Sequence, residues 1–349
     1  MRGQGRRGLL ALSLALVTAA AVTTACSAGE AAPTGSPAAS DTTTVPAAPA
    51  RPQVTVAEAT RALKDILAAD AVLGAADPQR LTDQNQLLKQ ARDGYLALTQ
   101  AAFTSAASMK QDTPLRTWGE PQLLVPRLNQ GPAWFAAVVD RRDAGGRARP
   151  ALLTVVRAGQ GWQISSMSLL DTAPPEIARD AEGYAAALGA DDPGVQISPR
   201  LMAPLHATTA EEGRAGFATG LIADGPHTTA HATEIISLRE EGKHEGLGYD
   251  SIFAAANYPV HALRTADGGA LIMYSLIRTT TWTAKIYHSA EDLLAKVPED
   301  QREDHRKTLK KEVRIVETQQ YVSTVPPKSS RELARVIGYV GGITRVTSS

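Results

Sequence analysis

Apolar residues recur first at helical and then at strand spacing, and this change of period happens twice along the chain. Thr55-Val56-Ala57-Glu58 has the form of a capping box, in which the threonine hydroxyl caps the backbone and the glutamate reaches back. Behind it Ala59, Leu63, Ile66 and Leu67 share one face, predicting a helix to about Leu73. Asp77-Pro78 opens a second helical stretch, with Leu81, Leu88, Ala91, Tyr95 and Leu98 on its face, and helices continue to about Met109. The runs 122–128, 134–141, 151–157 and 162–170 are short and β-prone, and Ala158-Gly159-Gln160-Gly161 closes a hairpin between the last two.

The pattern then resets through Asp171-Thr172-Ala173-Pro174-Pro175. Thr209-Ala210-Glu211-Glu212 reads as another capping box, with Phe217, Leu221 and Ile222 on the face of a helix stopped by Gly225-Pro226. A further helix is expected near 232–241, and strands at 251–256, 260–265, 270–281, 313–325 and 333–347. Asp267-Gly268-Gly269 is a hairpin turn, and the charged stretch 291–311 is a helical insertion. The prediction is an α+β chain of two modules, 54–173 and 174–349, each with N-terminal helices before a curved antiparallel sheet.

Ahead of these modules the pattern is of another kind. Arg2, Arg6 and Arg7 precede an apolar run from Leu9 to Val22 and the small residues Thr23, Thr24 and Ala25. Such a run spans about 21 Å as a helix, short of the roughly 30 Å hydrocarbon core, so residues 1–25 read as a cleaved export signal. Cys26 is the one cysteine of the chain. Val22-Thr23-Thr24-Ala25-Cys26 resembles the lipobox of bacterial lipoproteins, although Thr23 stands where that motif most often has Leu. The resemblance implies cleavage between Ala25 and Cys26, and lipidation of Cys26. The alternative is an ordinary signal peptide that leaves Cys26 as a free thiol. Arg6-Arg7 with Gly5 before them also resembles a twin-arginine export signal, so the sequence leaves the general and the twin-arginine routes both open.

Residues 26–53 follow as the lipidated cysteine and a tether of Ala, Pro, Thr, Ser and Gly without an aromatic residue. Such a composition cannot offset its ordering entropy by burial. Twenty-seven flexible residues after the cysteine give an end-to-end distance of about 30 Å, which places the modules close to the outer face of the cytoplasmic membrane. Composition narrows the partners further. The 36 basic residues lose three with the signal, leaving the mature chain near −3 against its 36 acidic ones, with no basic field for nucleic acid.

Two resemblances extend this reading. The hairpin 152–166, ending Gly161-Trp162-Gln163-Ile164-Ser165-Ser166, resembles the closing hairpin of the nuclear transport factor 2-like fold. That likeness implies helices packed on a curved sheet around a conical pocket, and a tandem of such domains along the chain. Trp118-Gly119-Glu120-Pro121, Pro204-Leu205-His206-Ala207-Thr208 and Tyr249-Asp250-Ser251-Ile252-Phe253 resemble a family of uncharacterised actinobacterial lipoproteins over nearly the whole mature chain. This supports the location and implies no chemistry.

Candidate chemistry is sparse. His227 and His231 are four apart and could share a helical face for a metal, with His206 and His244 as further ligands, but no glutamate lies between them in a zinc-peptidase pattern. Asp250 and His261 could meet across a hairpin as an acid/base pair of a hydrolase or isomerase. Trp118, Trp134, Trp162 and Trp282 are core residues or pocket walls, and Gly341-Gly342 is a bulge or turn rather than a phosphate cradle. No cofactor is expected. The sequence points to a non-catalytic, lipid-anchored envelope protein that binds a protein, wall component or small molecule; the pocket enzyme and the metal-binding lipoprotein are its alternatives.

Overall fold

The structure is a computed structural model that describes residues 52–73, 85–86, 88–111, 116–285 and 290–349. The signal, the Ala25-Cys26 junction, the tether up to Arg51 and the Asp77-Pro78 helix start lie outside the described residues. Residues 50–349 form one compact unit. Its helices are α1 (Val56–Leu73), α2 (Asp93–Met109), α3 (Pro199–Glu212), α4 (Thr229–His244), α5 (Ala290–Leu294) and α6 (Arg302–His305). The strands are β1 (Thr117–Trp118), β2 (Gln122–Leu124), β3 (Trp134–Arg142), β4 (Ala148–Ala158) and β5 (Gly161–Leu170). They continue as β6 (Leu247–Ala255), β7 (His261–Arg264), β8 (Ala270–Ala284), β9 (Glu312–Val325) and β10 (Arg335–Ser348). All ten belong to one antiparallel sheet of order β1-β3-β4-β5-β10-β9-β8-β6, with β2 on β3 and β7 on β8. The chain is α+β.

Strand alternation explains how the sheet is covered. On β3, Phe135, Ala137 and Val139 face a core under α1 and α2, whereas Trp134 and Ala136 face a second core. On β8, Ala270, Ile272 and Tyr274 face a third core under α3 and α4, whereas Leu271 and Met273 join the same second core. The two arms of the sheet therefore pack on each other across this shared core, with helices on both outer faces. The stretch after Asp171, expected as a reset, is an ordered strap. Ala185 N–H donates to Val125 O (2.8 Å) on one side, and Arg264 N–H donates to Ala186 O (2.8 Å) on the other.

Three local expectations change. The helix before Gly225-Pro226 is α3, displaced upstream. Ser198-Pro199 starts it, Met202, Ala203, His206, Ala207 and Ala210 bury one face, and Gly213, at φ +60°, ends it. Thr209-Ala210-Glu211-Glu212 is thus a helix end; the Glu211 carboxylate accepts from the Phe253 N–H, and Phe217 is 77% exposed. At the first capping box the Glu58 N–H does donate to Thr55 Oγ1 (3.1 Å), but the Glu58 carboxylate turns to Arg157. The second helical stretch breaks at Gln90–Arg92, where Ala91 bridges to Ile164 of β5, and α2 begins anew.

The arms join at one narrow seam. β5 and β10 pair at two positions, Leu170 with Gly338 and Leu169 with Tyr339, and then part. Beyond that point the side chain of Gln320, on β9 opposite Val340, replaces the missing ladder. Its Oε1 accepts from Met167 N–H (3.1 Å) and its Nε2 donates to Ser165 O (3.2 Å). Gln320 is fully buried, and Gly94 of α2 packs on it so closely that a Cβ there would lie 2.7 Å from its Nε2. The Asp93 carboxylate accepts from Ser165 Oγ (2.6 Å), pinning the start of α2 to the same place.

A second buried polar chain locks α3 to the other arm. His206, 0% exposed, approaches His227 O through Nε2 (2.6 Å) and Tyr274 Oη through Nδ1 (2.8 Å). A carbonyl can only accept, so Nε2 carries the hydrogen and Nδ1 accepts from Tyr274, whose oxygen in turn can accept from Ser323 Oγ (2.8 Å). Burial pulls the His206 pKa down to about 4, despite the His227 carbonyl. His261, packed on Trp134 with ring centroids 4.6 Å apart, is likewise pulled to about 4 by burial.

Two predictions follow from these networks. Gln320→Leu leaves a buried N–H and a buried C=O without partners and should cost roughly 2–4 kcal/mol in urea unfolding. Gly94→Ala should act by dislodging the same amide, so the double variant should be little less stable than Gln320→Leu alone; full additivity would show that the two do not share the clasp. For both imidazoles the folded pKa lies below the unfolded value of 6.5. Their stabilisation is complete above pH 6.5 and lost as pH falls toward 4, roughly 2 kcal/mol from each by pH 5. Glu234, held near 2 by His231 and Arg278, loses its contribution only below 4.5. The unfolding free energy should therefore fall between pH 7 and 5, with His227, also pulled down by burial, adding in the same direction, and the fall should be smaller in His206→Gln.

Candidate functional site

Where β5 and β10 part, a wedge opens and α2 roofs it. The result is a cavity of about 670 Å³, within the range of small-ligand sites. Residues at helical spacing on α2, namely Tyr95, Leu98, Thr99, Ala102 and Phe103, form the roof. Met167 and Leu169 of β5 form one wall, and Tyr339 to Ile343 of β10 the other. Gly341 leaves room for the Tyr339 ring that lies over it, and Gly342 borders Leu98. Pro298, Asp300 and Gln301, from the insertion between β8 and β9, close a further side.

One end of this cavity is charged. Asp70 on α1 is buried, and its carboxylate accepts from the Trp118 indole N–H (2.8 Å). Near it lie Tyr95, Arg116 and Arg141. Burial first, and the Asp70 charge second, push the Tyr95 hydroxyl far up. Burial first, and the Arg116 charge second, pull the Arg141 guanidinium below its usual range. Arg149 sits directly across the ladder from Arg141 and is paired with Asp171 (2.8 Å). Among the described residues neither Arg116 nor Arg141 has a salt bridge, and Arg116 Nε is buried without a hydrogen-bond partner.

The residues singled out from sequence lie elsewhere. Asp250 pairs with Thr281 and His261 with Met273, eight residues apart along β8, so about 26 Å of strand separates them. Asp250 instead meets Arg239 (2.6 Å) at the surface. The two cannot act as one acid/base pair. His227 precedes α4 rather than sharing its face with His231; it stacks on Tyr339 with centroids 4.3 Å apart. Both nitrogens of His206 are engaged, His231 Nδ1 faces Glu234 (3.5 Å), and His244 ends α4. Among the described residues no group of three or more His, Cys, Asp or Glu could hold a metal ion. No tryptophan lines the cavity; Trp134 and Trp282 are core, and Trp118 supports Asp70. Gly341-Gly342 lies in β10, a cavity wall.

Asp70, Arg116 and Arg141 are not among the residues that motifs and spacing single out. For two of them a signal exists. Asp70 continues the buried stripe Ala59, Leu63, Ile66, Leu67 at helical spacing, and Arg141 continues Phe135, Ala137, Val139 at strand spacing. A charge on a core-facing stripe needs a partner or a purpose.

Comparison with known proteins gives a family and adds no chemistry. A domain of unknown function, DUF8094, matches residues 50–348. An uncharacterized lipoprotein of Streptomyces coelicolor is 28% identical over 74% of this chain and 73% of its own length. An uncharacterized lipoprotein of Streptomyces avermitilis is 27% identical over 64% of this chain and 65% of its own, and a second from S. coelicolor is 29% identical over 45% and 46%. The match thus spans less than two thirds of the last two. No solved structure matches the chain. The chain belongs to the DUF8094 family, and the relatives it matches are uncharacterised actinobacterial lipoproteins.

Proposed function

We propose that this is a lipid-anchored envelope protein that holds a small molecule, without transforming it, in the wedge between α2 and the sheet. The cavity with two unbridged guanidiniums at one end is the observation that carries this reading. Lipid attachment at Cys26, after cleavage following Ala25, is supported by the lipobox-like sequence and by the names of the relatives. Among the described residues no helix is long and apolar enough to cross a membrane, which is compatible with a lipid as the anchor. Under this reading the outer face of the cytoplasmic membrane is the working location, and the tether of about 30 Å sets the reach. The modules 54–173 and 174–349 act as one body on a shared sheet. The helices-then-strands order of both supports a tandem, nuclear transport factor 2-like in its first half.

Two experiments test the proposal. Cys26→Ala should move the protein from the membrane fraction to the medium, because two or three acyl chains anchor stably and none remains. A variant that stays with the membrane excludes the lipid anchor. Ala102→Trp, on the roof between Leu98 and Phe103, should fill the cavity and abolish uptake of a neutral fluorescent probe such as N-phenyl-1-naphthylamine. Unchanged uptake places any bound molecule elsewhere.

A further inference from the structure

We infer that the ligand is an amphipathic anion, a carboxylate or phosphate monoester on a single apolar chain, with its head on Arg116 and Arg141. The inference rests on the cavity being a ligand site and specifies what that site recognises. Arg141 stands on the core-facing side of β3, with Arg149 directly opposite it on β4 and Arg116 close by. Like charges directly across a ladder repel, so this cluster costs stability as it stands. Its own carboxylates do not bridge it. The Asp70 and Asp143 charges act on Arg141 without a salt bridge to it, Asp70 accepts from the Trp118 indole, Asp171 pairs with Arg149, and Asp300 faces the cavity from the insertion side. Arg116 Nε lacks an acceptor. An anion with two oxygens supplies what is missing, since a guanidinium presents parallel N–H groups that match a carboxylate or phosphate.

The remainder of the cavity fits the other half of such a molecule. Away from Arg116 and Arg141 the surface is formed mainly by Leu98, Phe103, Met167, Leu169, Val340 and Ile343, with Thr99, Ser105, Asp300 and Gln301 among its polar members. An apolar chain is stabilised there by about 0.8 kcal/mol per buried methylene, whereas a small hydrophilic anion would leave this surface without a partner. Arg278 shows that a buried arginine in this fold need not be left open. It is met by Glu234 (3.1 Å), Tyr249 Oη (3.0 Å) and Ser251 Oγ (2.9 Å). Arg116 and Arg141 differ in having no such set, which marks them as the groups that meet a ligand.

The test uses the full mature chain carrying Cys26→Ala, so that no detergent enters, and follows displacement of N-phenyl-1-naphthylamine by dodecanoate, dodecyl phosphate and dodecanol. At least one of the two anions should displace the probe about tenfold or more better than the alcohol. Arg141→Met, and separately Arg116→Met, should remove that preference and leave dodecanol unchanged. Because neither guanidinium has a salt bridge to lose, both variants should keep or raise the thermal midpoint, which separates lost recognition from lost folding. Equal displacement by alcohol and anions, or a preference that survives both substitutions, overturns the anion assignment while the cavity reading stands. No probe uptake by the unsubstituted chain, or uptake indifferent to Ala102→Trp, overturns both.

Discussion

The amide of Gln320 is the interaction on which the arrangement turns. Two sheet arms that pack on each other must bend sharply somewhere, and a bend between adjacent strands leaves backbone groups without partners. Here the ladder between β5 and β10 stops after two pairs, and one buried side chain satisfies the next N–H and C=O of β5 from β9. The bend is thereby stabilised without closing the gap. A continued ladder would have drawn β10 against Met167 and removed the wedge; an unsatisfied gap would have been too costly to hold open.

What stands around the wedge follows from that geometry. α2 crosses the seam because Asp93 and Gly94 fasten its first turn to β5 and to Gln320. Its next two turns therefore roof the opening. Tyr339, the last residue of β10 paired with β5, faces the cavity and stacks on His227, so the cavity wall continues into the aromatic set of His206, Tyr274 and Tyr321 under α3. Within it His206 and Tyr274 form a hydrogen-bonded chain with Ser323, whereas the Tyr321 hydroxyl donates to Gln319 Oε1. The chain holds the second arm together and leaves neither nitrogen of the His206 imidazole open for a metal.

Much of the local structure was legible in the sequence. The Ala158–Gly161 and Asp267–Gly269 turns, every long strand, and the helix under Thr55 follow from period and turn chemistry. The failures have physical causes. Placing a helix before Gly225-Pro226 relied on a Thr-x-x-Glu pattern, whereas Ser198-Pro199 and the positive φ of Gly213 set the true limits of α3. Asp250 and His261 were paired by nearness in sequence, but they pair with β8 at positions eight residues apart. The β5–β10 seam joins residues about 170 positions apart through two pairs and one side chain, and no local pattern encodes such a contact. Asp70 and Arg141 could have been found, because each interrupts an apolar stripe on the face that becomes core.

The most direct test of a ligand seated in the wedge is amide hydrogen exchange with and without saturating dodecanoate. Slower exchange confined to residues 95–103 of α2, 167–169 of β5 and 339–343 of β10 is the predicted result. Protection centred on α3 and α4, or none at all under saturating ligand, would contradict the account.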